Sequence, residues 1–303
     1  MGKSDRSRCS TSATLEGCLF CAGGLATFWQ DKLTESGTFG VWRCQSCRSG
    51  FVWPRPDDSE LAALYASPAY GSRTRKDADS IDAAYYPTSW GDAETIINRC
   101  VRLAKGWSVL DVGAGNGTFS HVAAKRGFRV SAIEPNENAH AVFTEVNGFS
   151  PQKGFFDRTF AQRMCCSYDV ALLSQVLEHS PHPLDTVRNL HTVLRPGGIA
   201  AVAVPHFGSL VSRLQGTNDM FVSPPEHLNF FSRRGLTELF AKNGFSVRLI
   251  ETVSKVPRRR IERLARVRPL GAVGWRVTYA AMRLSDWCDA GMVLNAYFEK
   301  MGK

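Results

Sequence analysis

Asp111-Val112-Gly113-Ala114-Gly115-Asn116-Gly117 stands where an apolar run, Val109-Leu110, gives way to a helix-like stretch. Glycines at alternate positions let the chain turn tightly. They also let a ligand approach main-chain N–H groups at a helix N-terminus, where a Cβ would block it. Glu134 lies 23 positions beyond Asp111, at the end of the next apolar run. A carboxylate there is placed to accept hydrogen bonds from two ribose hydroxyls. Asp111 either holds the loop or receives the amino group of a cationic amino-acid ligand. A dinucleotide oxidoreductase fits less well. Its fingerprint needs Gly or Ala at the sixth position of the loop, and Thr118 stands there.

A second chemistry is carried by sulfur. Cys18-x-x-Cys21 and Cys44-x-x-Cys47 are separated by 22 residues. Two such knuckles suit tetrahedral Zn²⁺, and four thiolates leave no open position, so the zinc is structural. A redox CxxC belongs beside a βαβ unit, and these pairs precede that part of the chain. The total of nine cysteines is odd, which argues against a disulfide framework in a reducing compartment.

These groups need elements to hold them. From Trp107 onward strand-like runs alternate with helix-like ones, the pattern of βαβ units around a mainly parallel sheet. Strands are expected at 107–112, 128–133, near 152–156, and at 168–174, 199–204, 245–252 and 292–298. Helices are expected at 117–126, 137–146, 184–194 and 236–243, several closed by glycine. In such a sheet ligands bind beyond the carboxyl ends of the strands. Glu178-His179 follows the fourth strand and His206 the fifth. Pro225-Glu226-His227-Leu228-Asn229-Phe230-Phe231-Ser232 lies in the connection after the fifth.

Taken together, these segments resemble the class I methyltransferases. Asp111 to Gly117 looks like their glycine motif, and Ala132-Ile133-Glu134-Pro135 like the acidic end of their second strand. Tyr168-Asp169-Val170 with Ser174-Gln175-Val176-Leu177-Glu178-His179 resembles their fourth strand. Leu194-Arg195-Pro196-Gly197-Gly198 resembles the turn before their fifth. The resemblance covers roughly residues 105 to 250. It implies S-adenosylmethionine as methyl donor, with Glu134 on the ribose and Gly113, Gly115 and Gly117 packed on the cofactor. It places Asp157 at the adenine amino group and Gln175 near the methionine part. Arg43-Cys44-x-x-Cys47-x3-Phe51-Val52-x-Pro54-x-Pro56, then Leu61 to Tyr65 and Tyr70, is similar to the zinc ribbon of a subfamily acting on sugars and other small metabolites. That subfamily usually has Gly after the last cysteine, where this chain has Arg48. The resemblance stops short of the large C-terminal domain of the sugar C-methyltransferases, so no counterpart of it is expected.

The implied fold is α/β: a doubly wound, seven-stranded Rossmann-like methyltransferase sheet with a small N-terminal zinc-ribbon domain. The expected division is a disordered tail over 1–13, the ribbon over 14–56, a helical linker or cap over 57–105, and the methyltransferase domain over 106–303 with an insertion near 254–290. Methyl transfer to oxygen or carbon requires removal of an acceptor proton, work that suits histidine. The candidate bases are His179, then His227, then His206; an orienting hydrogen bond is the competing role for each. His121, His140 and His191 sit within expected helices as surface or packing residues. Tyr85 and Tyr86 either cover the cofactor or pack a helix.

The formal net charge is +9. Much of the excess falls in 255–268, where seven Lys and Arg face the single acid Glu262. Arg259, Arg263 and Arg266 follow helical spacing. A solvated face, a membrane surface, a nucleic acid, an acidic substrate, a dimer contact and a lid are the readings of this stretch. No run of about 18 apolar residues is present, so no membrane span is expected. The polar N-terminus lacks the apolar middle of a signal peptide, and the expected location is the cytoplasm. The favoured function is methyl transfer to a small-molecule acceptor: a sugar, nucleotide-sugar or secondary metabolite. The alternative is an RNA methyltransferase whose ribbon and basic helix hold nucleic acid, although no Asn-Pro-Pro-Tyr-type segment follows the fourth strand. A non-catalytic binding module is disfavoured by the intact loop and Glu134.

Overall fold

A computed structural model describes residues 14–21, 23–57, 60–61, 87–254 and 270–302. The tail over 1–13, the tyrosines at 65, 70, 85 and 86, and the basic stretch over 255–268 lie outside the described residues.

The larger sheet contains seven strands: β5 (Ser108–Val112), β6 (Arg129–Glu134), β7 (Gln152–Lys153), β8 (Tyr168–Ser174), β9 (Leu194–Pro205), β11 (Phe245–Val253) and β12 (Val293–Lys300), in the order β11-β12-β9-β8-β5-β6-β7. From β9 to β7 the pairing is parallel, and β12 and β11 run antiparallel at the far edge. The order reverses between β5 and β8. A crevice opens at such a switch point, beyond the strand C-termini.

Alternation along the central strands decides which face each side chain serves. Leu110 and Val112 of β5 join Ala171 and Leu173 of β8 in one core. Val109, Val170 and Leu172 point the other way. The second face is covered by Ile96, Ile97 and Cys100 of α1 (Pro87–Leu103) and Val122 and Ala123 of α2 (Thr118–Lys125). The first is covered by α4 (Arg158–Arg163), α5 (Pro183–Val193) and α7 (Arg233–Ala241), which supply Phe160, Leu190 and Phe240. The helix α3 (Glu137–Asn147) follows β6, and its Phe143 packs with Ala114 and Ala132. The short α6 is Leu210–Gln215.

Most expected elements lie within two residues of the observed ones. Two differ more. The strand expected at 199–204 begins at Leu194, directly after α5. Leu194 pairs with Tyr168, and a register shift before Val170 takes up Arg195-Pro196-Gly197-Gly198 inside the strand. The helix expected at 236–243 begins at Arg233, because Ser232 accepts the Gly235 N–H and caps it. In the 254–290 insertion the described part is α8 (Leu270–Trp287). It meets the sheet edge where Thr252 Oγ1 donates to Asp286 O at 2.8 Å.

The second sheet orders β1 (Thr14–Leu15), β2 (Ala26–Thr34), β3 (Gly37–Cys44), β4 (Gly50–Val52) and β10 (Asn229–Phe230), all antiparallel. β10 comes from the connection after β9, so the cysteine-bearing sheet takes its last strand from the other half of the chain. The four cysteines and Phe20 share one contiguous core with Leu110 and Phe231.

Candidate active site

The loop after β5 turns back through three left-handed glycines, Gly113, Gly115 and Gly117, with φ of 64°, 52° and 81°. L-residues with a Cβ are strained in that region. At Gly113 a Cβ would lie 2.7 Å from Val176 Cγ2, and at Gly117 it would lie 2.7 Å from Phe143 Cδ2. At Gly115 it would meet nothing within 4 Å, which leaves the loop's outer face open. The Gly113 N–H donates to Ile133 O at 2.8 Å and ties the loop to the end of β6.

Glu134 sits at that end and is buried. Its Oε2 accepts the Gly115 N–H at 2.8 Å, and its Oε1 accepts the Asn136 N–H at 2.7 Å. Burial pushes its carboxyl up, while these two N–H groups favour the ionised form. Asp111 lies beneath the loop, also buried, and its Oδ2 accepts the Ser120 hydroxyl at 2.7 Å. Burial pushes Asp111 up to about 7.

A cavity of about 1180 Å³ runs from the loop across the crevice. Gly113, Glu134, Asp157, Gln175 and His179 line it. Asp111, Gly115, Gly117, His206 and His227 are not on its wall. Asp157 caps α4, accepting the Phe160 N–H at 2.7 Å. Gln175 has φ 57°, a left-handed conformation for a residue with a side chain. Its main-chain N–H and its Nε2 both donate to Ala203 O, at 2.8 and 3.3 Å. Such outliers collect at functional sites. These residues fit S-adenosylmethionine: a loop turned through alternate glycines, a carboxylate at the second strand end and a cavity lined by both Gly113 and Glu134.

Beyond Gln175 the chain makes a 3₁₀ turn, Leu177–His179. His179 Nδ1–H donates to Glu226 O at 2.8 Å, and His227 Nδ1–H donates to Phe221 O at 2.7 Å. The two rings meet edge to face with centroids 4.7 Å apart. Burial lowers both imidazoles, His179 to about 4, with the neighbouring His227 lowering it further. The buried Glu178 carboxyl completes a group whose ligand atoms lie within 4.8 Å of one another. His206 stands apart, its Nδ1 against Gly291 O at 3.0 Å, lowered to about 4 by burial. His121, His140 and His191 serve packing and backbone contacts: His140 Nε2–H donates to Glu134 O at 2.9 Å, and His191 packs on Phe245.

Cys18, Cys21, Cys44 and Cys47 are buried and bring their Sγ atoms within 4.8 Å of one another. Cys18–Cys47 and Cys21–Cys44 are each 3.6 Å apart. Zn–S bonds of about 2.3 Å give tetrahedral edges of about 3.8 Å, so the set fits zinc. The Phe20 and Cys47 N–H groups point at Cys18 and Cys44 Sγ, each at 3.4 Å. Arg48, where the resembling ribbons carry Gly, takes φ 64°. A non-glycine residue there costs about 1–2 kcal/mol.

The sequence reading missed Arg55 and Asn229 as site residues. Asn229 is buried behind the His179 turn, donating from Nδ2 to Ser180 O at 2.7 Å. Arg55 Nη2 donates to Asn229 Oδ1 at 2.5 Å. Their only signal was position, inside Pro54-x-Pro56 and the 225–232 segment.

Among curated proteins the chain is similar to ubiquinone biosynthesis O-methyltransferases. That of Vibrio parahaemolyticus is 28% identical over 155 residues, 44% of this chain and 65% of that protein. That of Azotobacter vinelandii is 36% identical over 106 residues, 34% and 45%. The chain thus spans less than two thirds of the length of these relatives. Among solved structures it is similar to a 1,6-didemethyltoxoflavin N1-methyltransferase of Burkholderia thailandensis, with 1,6-didemethyltoxoflavin and S-adenosylhomocysteine bound. That likeness has a TM-score of 0.51 and 18% identity, over 85% of this chain and 98% of the other. The 4+2 cyclase SpnF is similar at TM-score 0.55 and 18% identity, over 82% and 98%. At these identities the two structures show the fold alone. Residues 86–250, more than half of the length, match the methyltransferase domain family, and the chain belongs to that family.

Proposed function

We propose that the protein is an S-adenosylmethionine-dependent methyltransferase acting on a hydroxyl of a small-molecule acceptor. The observation that carries this is one cavity reaching from Gly113 and Glu134 at one end to His179 at the other. Gly113, Gly115 and Gly117 form the cradle, Glu134 faces the ribose, and Asp157 and Gln175 line the remainder of the cofactor's path. S-adenosylmethionine, when bound, supplies an electrophilic methyl group. His179 is the general base. Its Nδ1–H is committed to Glu226 O, so its Nε2 lone pair is the proton acceptor. A base lowered to about 4 suffices, because a hydroxyl oxygen gaining a third bond takes on positive charge, becomes strongly acidic and yields its proton even to a weak base. His227 orients His179. Oxygen as acceptor atom is supported by the relatives named O-methyltransferases.

The four cysteines hold a structural zinc that supports the ribbon. The RNA reading has less support, since the relatives are named for a small molecule. Among the described residues no helix is long and apolar enough to cross a membrane. The test is methyl transfer from labelled S-adenosylmethionine to a panel of phenols, catechols, sugars and short RNA. Label on a phenolic or sugar oxygen, lost in His179→Ala, supports the reading. Label on RNA alone would overturn it.

A further inference from the structure

We propose that Arg55, at the end of the ribbon, is a positioning residue for His179, acting through Asn229; this rests on His179 being the acceptor-side base. The ribbon and the His179 turn are physically joined. β4 pairs with β10, setting Phe51 opposite Asn229 and Gly50 opposite Phe230. Val52 N–H donates to Leu228 O at 3.0 Å. Ser49 Oγ lies 3.0 Å from Ser232 Oγ, which also donates to Cys47 O. The second knuckle and the strand carrying Asn229 therefore form one rigid piece.

Asn229 turns that piece toward the site. Its Nδ2 lies 3.0 Å from Leu177 O, 3.4 Å from Glu178 O and 2.7 Å from Ser180 O. These carbonyls flank His179 on both sides. Leu228 N–H adds a bond to Glu178 O at 2.8 Å. An amide has two orientations, and only its hydrogen-bond network selects one. Flipped, Asn229 would aim its oxygen at three carbonyl oxygens. Arg55 forbids that, because a guanidinium has donors and no acceptor. Its Nη2 claims Oδ1 at 2.5 Å, and its Nη1 reaches Ser180 O at 3.5 Å. No carboxylate pairs with Arg55 among the described residues, and the bonds it makes there go to Asn229 and Ser180. Burial lowers it only to about 10, and it stays charged at neutral pH.

Arg55→Met leaves Asn229 Oδ1 buried and unsatisfied, removes the anchor on the far side of the amide and loosens the turn. The experiment follows purified full-length Arg55→Met, Arg55→Lys and Asn229→Leu by steady-state kinetics, by S-adenosylhomocysteine titration calorimetry and by histidine NMR titration. A roughly 10- to 10²-fold loss in kcat is expected for Arg55→Met and Asn229→Leu, the cost of a slightly misplaced catalytic group. Acceptor KM and S-adenosylhomocysteine affinity should hold within about twofold. The His179 titration should rise from near 4 toward the ordinary histidine value as its turn opens to water. Arg55→Lys keeps one donor and should rescue part of kcat, and it serves if Arg55→Met does not fold. An unmoved His179 titration in folded variants would overturn the proposal. So would a rise in acceptor KM with kcat intact, which assigns Arg55 to the acceptor. Full activity in His179→Ala, with the NMR shift still seen in Arg55→Met, would instead sink the base assignment and leave the positioning of the turn standing.

Discussion

His227 packs edge to face on His179 at 4.7 Å between ring centroids, and each ring gives its Nδ1–H to a backbone carbonyl of the 221–226 segment. Two half-buried imidazoles so close favour the neutral form. The pH profile should reflect that. With His179 neutral down to about 4, kcat should stay flat as pH falls through the ordinary histidine range near 6.5. Stability behaves differently. Both His179 and His206 have folded values near 4, below the unfolded value of about 6.5. Protonation therefore favours the unfolded chain. Their contribution is full above about 6.5 and is lost as pH falls toward 4. Melting temperature should drop between pH 7 and 5, and His206→Gln should shrink that drop. A kcat limb near 6.5 that vanishes in His227→Gln would show the pair to be solvated. His179→Ala should cost about 10²- to 10⁴-fold in kcat while the melting shift on S-adenosylhomocysteine survives.

Asp111 gives the opposite sign. Burial holds its carboxyl up at about 7, above the unfolded value of about 3.9. Below pH 4 it is protonated in both states and costs nothing. As pH rises through 7 the folded state must carry a buried charge, and stability is lost. Asp111→Asn keeps an oxygen to accept the Ser120 hydroxyl. Its stability relative to the parent should improve from pH 4.5 to 7.5 and then level off, read by chemical denaturation without ligand. A difference that stays constant with pH would mean Asp111 is ionised throughout.

How much of this was written in the chain depends on the range of the interaction. β8 was legible to the residue because Val170–Leu173 is a continuous buried apolar run at the centre of Tyr168–Ser174. The loop was legible because the alternate glycines are needed by backbone geometry, and Glu134 because a strand end fixes it against Gly115. The two cysteine knuckles are local patterns. The start of β9 was hidden, since a bulge opposite Tyr168–Val170 draws a Pro-Gly-Gly segment into the sheet, and only the partner strand dictates that. His227 beside His179, the strand β10 lent to the ribbon sheet, and Arg55 on Asn229 are contacts across 48 to 180 residues. No periodicity encodes them. His206, equivalent to His179 by strand position, faces Gly291 because the neighbouring β12 closes that side.

The cysteine set makes a quantitative claim. Metal analysis of the purified chain should return about one zinc per chain. Cys44→Ser should lose it and lower stability by several kcal/mol, since binding a structural zinc is part of the folding free energy. The damage should reach beyond the ribbon, because Cys44 and Phe231 share one core. Chelation should therefore lower the melting temperature of the whole protein in one transition. Two separate transitions, with the cofactor-induced shift intact after chelation, would mean the ribbon stands alone. A folded wild type without metal would remove the zinc assignment.

Glu134 is the most direct test of the cofactor end. Both of its oxygens already accept main-chain N–H groups, at 2.8 Å from Gly115 and 2.7 Å from Asn136. It thus closes the glycine loop, and it lines the cavity. Bonds to a charged acceptor contribute about 1.5–3 kcal/mol each. Glu134→Gln keeps one oxygen and sets an NH₂ group against an N–H, so one loop contact and one ribose contact are lost together. S-adenosylhomocysteine at about 100 times its Kd should stabilise the parent by about 2.7 kcal/mol. At the same ligand concentration Glu134→Gln should keep a small part of that, and Glu134→Ala almost none. Calorimetry separates the causes. If Glu134 acts only on the ligand, the free variants melt with the parent. If it also holds the loop, the free variants melt lower, and Glu134→Ala lower than Glu134→Gln. An unchanged affinity in both variants would move the ribose elsewhere in the cavity and break the assignment of this strand end to the cofactor.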